Sequence, residues 1–253
     1  MGSVTTRNRS RNDPEQGGIA EIRLRGRRDH QRKRKISARL AIMLEPDVTL
    51  TDLVLAAQCM AFSLLLLRRA DAASMVRRLY ALLFAALALA SLFGGLWHGV
   101  FSDAETGLGQ WIWFCVMVAL AVAAAVLWFI SAALFCSETW ARLVRMIAPA
   151  HLVLQISVSA FVTDSFAVAT VGLLPPVISM IAGNASRFRR TGSRRALYGA
   201  AGFCLAALAG LIVAFEVSLH PSWATTLATY HMVQFVAFWM IFRSVPGGAA
   251  QPR

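Results

Sequence analysis

Seven apolar runs separated by short polar connections constrain this chain more than any other feature. They lie near residues 49–67, 79–101, 111–136, 146–163, 166–183, 196–216 and 221–242. A helix rises about 1.5 Å per residue, so roughly 20 residues cross the hydrocarbon core of a bilayer. Only 15% of the 253 residues are charged, where a soluble domain usually carries about a quarter. The charges also cluster between the runs. The expected fold is therefore an all-α integral membrane protein, a seven-transmembrane helix bundle over residues 47–243, with 244–253 as a short cytoplasmic tail.

Within that frame, only Asp164 and Ser165 separate the fourth and fifth runs, which predicts a tight helical hairpin. Pro175 and Pro176 are expected to kink the fifth run, because each removes a backbone donor and crowds the preceding turn. Orientation comes from the connections. Arg68, Arg69, Arg77, Arg78, Arg142, Arg145, Arg187, Arg189, Arg190, Arg194, Arg195, Arg243 and Arg253 all fall on one side, and the three opposite loops hold no Lys or Arg. The positive-inside rule then places the amino end outside and the carboxyl end in the cytoplasm. Trp97, Trp111, Trp113 and Trp223 would line the outer interface, and Tyr80, Trp140, Tyr198 and Trp239 the inner one.

Residues 1–46 run against this scheme, since they carry twelve Lys and Arg on the side expected to be outside. They hold too little apolar content to fold alone and read as a disordered basic tail. Met43 opens the stretch "MLEPDVTLTDLVLA", whose leader contains Glu45 and Asp47 and no basic residue. A translation start at Met43 would suit an external amino end.

Several classes are set aside. The net charge of +12 does not mark the body of the chain as nucleic-acid binding, because its arginines sit at the ends of apolar runs, where they anchor helices at headgroups. Cys59, Cys115, Cys136 and Cys204 fall in four different runs without CxxC spacing, so they read as small buried hydrophobes. A retinal-binding protein needs a lysine on its last helix, and none follows Lys35.

An ionisable group in hydrocarbon costs several kcal/mol (roughly 2.5 or more) unless paired or wet. The candidates are Asp52, His98, His151, Glu216 and His231, with Gln58, Ser91, Gln155 and Gln234 as uncharged companions. Asp52 and His98 fall near the outer ends of their runs. His231 lies ten residues past Pro221, or about 15 Å inward and near the midplane. Ser91 and His98 share one helix face, beside Gly94 and Gly95, and Asp52 shares a face with Cys59. His151 with Gln155, and His231 with Gln234, are helical neighbours. Runs one, two, four and seven are thus each expected to turn a polar stripe inward, toward a cavity open to the outer side. Gln155 and Gln234 are as apt to tie helices together.

With an outer amino end, Ser91 and His98 on the second run and His231 on the seventh, the arrangement resembles the CREST superfamily of seven-helix membrane hydrolases, which includes alkaline ceramidases and adiponectin-type receptors. "TLTDLVLA", "GGLWHGVF" and "HPSWATTLATYHMVQF" look most like its bacterial members without an assigned substrate, which implies the bacterial inner membrane. The resemblance implies a zinc ion held by His98 and His231, supported by Ser91. Its second ligand on the last helix is missing, because positions 227 and 235 are Leu and Phe. His220 shares the face of His231 but lies about 16 Å away along the axis, too far for one ion. The expected acid on the third helix is also absent, and Asp52 is the substitute ligand available.

Two functional expectations follow. In one, a metal at His98, His231 and Asp52 activates water against a lipid amide or ester, with Ser91 assisting. In the other, the frame and its polar cavity bind a lipid or small molecule without catalysis. A third possibility, bis-histidine haem ligation by His98 and His231, predicts a Soret band.

Overall fold

The structure is a computed structural model, and it describes residues 45–68, 74–101 and 107–246. The basic amino-terminal segment and the alternative start at Met43 lie outside the described residues. The described residues form seven α-helices: α1 (Pro46–Arg68), α2 (Met75–Leu96), α3 (Gly107–Phe135), α4 (Glu138–Phe161), α5 (Phe166–Thr191), α6 (Arg194–Ala214) and α7 (Thr226–Ser244). A π-helical turn, Trp97–Phe101, continues α2. No β-strand occurs among the described residues. Helices α1 to α6 are long and apolar enough to cross a membrane. Helix α7, with Tyr230, His231, Gln234 and Arg243 in 19 residues, is not among them.

The helices overrun the apolar runs at the arginine-bearing end. Helix α4 starts at Glu138, eight residues before its run, and α5 continues to Thr191, eight residues past its own. Arg142 and Arg145 both reach Glu138, at 3.9 and 2.7 Å, so this polar overhang is held by its own ion pairs. Gly192 ends α5 with a φ of 62°, the left-handed C-cap that glycine adopts without strain. Helix α5 is continuous through Pro175 and Pro176.

Packing closes a ring in the order α1, α2, α3, α5, α6, α7 and back to α1. Helix α4 stands outside it. It packs on α3, barely touches α5 despite the short link between them, and meets none of α1, α2 or α7. Its buried residues are Ala141, Ala148 and Gln155, a single line at seven-residue spacing. Helix α3 presents the opposite pattern, with Ala119, Ala121, Ala123, Ala124 and Ala125 all buried. Small side chains let its neighbours approach from several directions.

At the core, Phe62 of α1 stacks on Phe242 of α7 at 4.2 Å, and Phe84 of α2 meets Phe62 edge-on at 5.3 Å. Ile130, Met180 and Phe203 extend this cluster into α3, α5 and α6. Gly202 lets α6 and α7 close up, since a methyl there would lie 3.0 Å from the Ala237 carbonyl oxygen. Tyr80, expected at an interface, is instead 1% exposed and bonded to Ser244. Its hydroxyl finds a partner inside the bundle, which removes the need for water.

Candidate functional site

One end of the bundle gathers polar side chains from α1, α2 and α7. Helix α1 starts at Pro46, a residue with no N–H to leave unpaired in the first turn. The Glu45 carbonyl accepts from Thr49 N at 2.9 Å, which puts Glu45 at the N-cap. Thr225 holds the N-cap of α7, yet its hydroxyl leaves its own helix and donates to Asp47 Oδ2 at 2.7 Å. Its backbone N–H donates to the same oxygen at 3.0 Å. One carboxylate thus ties the first turns of α1 and α7, where both helix dipoles favour negative charge.

Helix α7 therefore starts later than its apolar run. Pro221 to Ala224 belong to a turn closed by paired backbone bonds between His220 and Ala224. The His220 ring stacks on Trp223 at 4.6 Å and its Nδ1 accepts from Ser222 N at 3.2 Å. Glu216, expected to close the sixth run, lies in this exposed connection with a φ of 52°. His231 is consequently about 7.5 Å from the start of its helix, not the 15 Å expected from Pro221.

Two imidazole–carboxylate couples stand here. His98, in the π-helical turn after α2, places Nδ1 2.7 Å from Glu45 Oε2. His231 places Nε2 3.4 Å from Asp52 Oδ1, and its Nδ1 lies 3.2 Å from Thr51 Oγ1. Thr51 and Asp52, adjacent on α1, thus engage both nitrogens of one ring. The His231 and Asp52 side chains are 11% and 5% exposed, so each serves as the other's replacement for water. The Thr51 hydroxyl also contacts the Asp47 and Val48 carbonyls at 2.9 and 3.0 Å. When its single proton goes to that backbone, Nδ1 is the donor to Thr51.

The glycines of "GGLWHGVF" make room for this. A methyl at Gly94 would lie 3.0 Å from Asp52 Oδ2, one at Gly95 3.3 Å from Asp52 Cβ, and one at Gly99 3.0 Å from the Thr49 methyl. Turns of π-helix are rare and are frequently found at functional sites.

Beside the couples, a groove of about 280 Å³ opens between α1 and α7. Leu50, Val54, Met232 and Phe235 form its walls, with Thr51 and His231 as its polar groups. Leu50 is 63% exposed and Phe235 41%. Gln58 crosses from α1 to the Phe235 carbonyl at 2.9 Å.

Of the residues the sequence singles out, Asp52, His98 and His231 come to this end. Ser91 is buried two turns before His98, about 10 Å along the axis, and bonds none of the three. The polar stripe of the fourth run does not join them. His151 accepts from Trp128 Nε1 at 3.0 Å, and Gln155 presses against Gly172 of α5. The cause is the placement of α4 outside the ring. Gln234 of α7 donates to the Ala206 carbonyl of α6 at 3.4 Å, a tie between helices.

The sequence reading missed Glu45, Asp47, Thr51 and Thr225. Glu45 and Asp47 are the only acids flanking the first run at its start, and that was the available signal. Among the described residues no three His, Cys, Asp or Glu side chains come together as a metal-holding group. Asp52 and His98 each keep one atom outside these couples, Oδ2 and Nε2, whereas both nitrogens of His231 face α1 partners.

In comparisons with known proteins, the profile of a family of unknown function (DUF6962) matches residues 48–250. No curated protein and no solved structure matches the chain.

Proposed function

Because the chain belongs to a family of unknown function, DUF6962, we propose a function from its own geometry: a membrane-embedded binding protein that receives an amphipathic small molecule in the α1/α7 groove. All seven helices cross the bilayer in this reading, with the start of α1 outside and the end of α7 in the cytoplasm. The groove carries the proposal. Its walls are apolar and exposed, and its polar groups are already oriented, His231 by Asp52 and Thr51, and Thr51 by the carbonyls of its own helix. An acyl or alkyl chain would lie along Leu50, Val54, Met232 and Phe235, with a polar head against His231. The neighbouring couple of His98 and Glu45 supplies both a cation and an anion for such a head when the ring is protonated.

A second reading is a metal-dependent hydrolase of a lipid amide or ester, with zinc held by Asp52, His98 and His231 and Ser91 assisting. The closeness of Asp52 to His231 favours it. One preparation separates the two. The full chain is extracted in detergent without chelators and examined for bound amphiphiles by mass spectrometry and for metal by elemental analysis. Binding predicts an amphiphile that is retained by the wild type and lost in His231→Ala and Phe235→Trp, both still folded. Equal retention in all three overturns it. Stoichiometric zinc that disappears in His98→Ala would instead establish the hydrolase site.

A further inference from the structure

A second groove lies at the opposite end of the bundle, between α6 and α7. It encloses about 460 Å³ and is lined by Arg194, Leu197, Tyr198, Ala201 and Met240. It joins basic, aromatic and apolar side chains. Arg194, the first residue of α6, stands at the basic rim, and Leu197, Ala201 and Met240 carry the lining toward the middle of the helices. The Tyr198 ring meets Trp239 edge-on at 5.9 Å, and the Arg243 guanidinium lies over Trp239 at 5.8 Å. Below the cationic rim, aromatic and apolar side chains thus stand side by side.

Three observations indicate what fills it. Arg194, Arg195 and Arg243 are exposed and form no ion pair among the described residues. The first N–H groups of α6 have no intrahelical acceptor, and its N-cap Ser193 makes no side-chain cap bond. Both features suit an anion. The trough beyond is apolar, and Leu197 is 47% exposed, so a free anion would leave it bare. Basic pockets between helices on the positively charged side of a membrane protein are suited to anionic headgroups.

We propose that this groove is a binding site for an anionic diacyl phospholipid. The phosphate sits between Arg194 and Arg243 over the first turn of α6, and an acyl chain runs past Leu197, Ala201 and Met240. This rests on the helices crossing a bilayer, not on the α1/α7 groove at the other end.

The test uses the purified full chain in detergent, titrated with phosphatidylglycerol, phosphatidylcholine and inorganic phosphate, with bound lipid counted by native mass spectrometry. Phosphatidylglycerol is expected to bind at one site, about tenfold or more tighter than phosphatidylcholine, and to weaken about tenfold or more in R194Q/R243Q. Leu197→Trp, which fills the trough and keeps every charge, is expected to lose the lipid as well. Arg142→Gln, at the same end but on α4, is expected to change nothing. Equal binding of the two lipids, equal binding of inorganic phosphate, unchanged binding in R194Q/R243Q or Leu197→Trp, or an equal loss in Arg142→Gln would each overturn the proposal. Loss of the His231-dependent amphiphile leaves these outcomes untouched, so the two sites fail separately.

Discussion

Asp52 shows how far a single side chain is fixed by its neighbours. Its Oδ1 faces His231, while Oδ2 and Cβ fill the space that Gly94 and Gly95 leave empty. Asp52→Asn keeps a polar partner for His231 at nearly the same volume. Asp52→Leu leaves a buried ring nitrogen unpaired and should cost about 1–3 kcal/mol. Thermal unfolding of the three proteins in one detergent checks this, with Asp52→Leu expected to fall clearly below Asp52→Asn. Asp52, His98 and His231 were legible in the sequence as candidates because ionisable groups in apolar runs stand out. Their pairing was not. Thr51 and His231 are 180 positions apart, and Glu45 and His98 are 53 apart. Spacing within one helix carries no information about such contacts.

Among the helices, the hydrophobic runs foretold seven segments, since a run of about 20 apolar residues has few other solutions. Their limits were less legible. Polar residues continue α4 and α5 beyond the apolar stretch, because the backbone keeps its hydrogen bonds wherever side chains permit. The last helix starts late because Pro221 to Ala224 prefer a turn that His220 closes. Its first turn then depends on Asp47, so Thr225→Ala should cost about 1 kcal/mol, read as a lower midpoint in chemical denaturation. Gly202→Leu is expected to cost more, on the order of 1–3 kcal/mol, because backbone atoms of Ala237 and Ile241 stand 3.0 Å from the added carbon. The same denaturation series ranks the two.

Across the whole molecule, charge is sorted end to end. Among the described residues, Glu45, Asp47, Asp52, Asp164 and Glu216 lie toward the end where α1 and α7 start. Every described arginine lies at the other end, with Glu138 as the one described acid there. This sorting was plain in the sequence, and it supports the proposed orientation. Ser222→Cys and Ser193→Cys, both in connections, should then label oppositely in intact cells, the first with an impermeant maleimide and the second only after lysis. Helix α4 was the least legible part at this scale, because its apolar run resembles the others while its buried line is only Ala141, Ala148 and Gln155. That narrow seam has a dynamic consequence. With α3 and α5 already in contact behind it, α4 can detach without breaching the ring, so it should be the first segment to open. Amide deuterium uptake in detergent is expected to rise in 141–155 well before it rises in 119–130. The chain would then behave as two cooperative units, a durable annulus and a detachable strut.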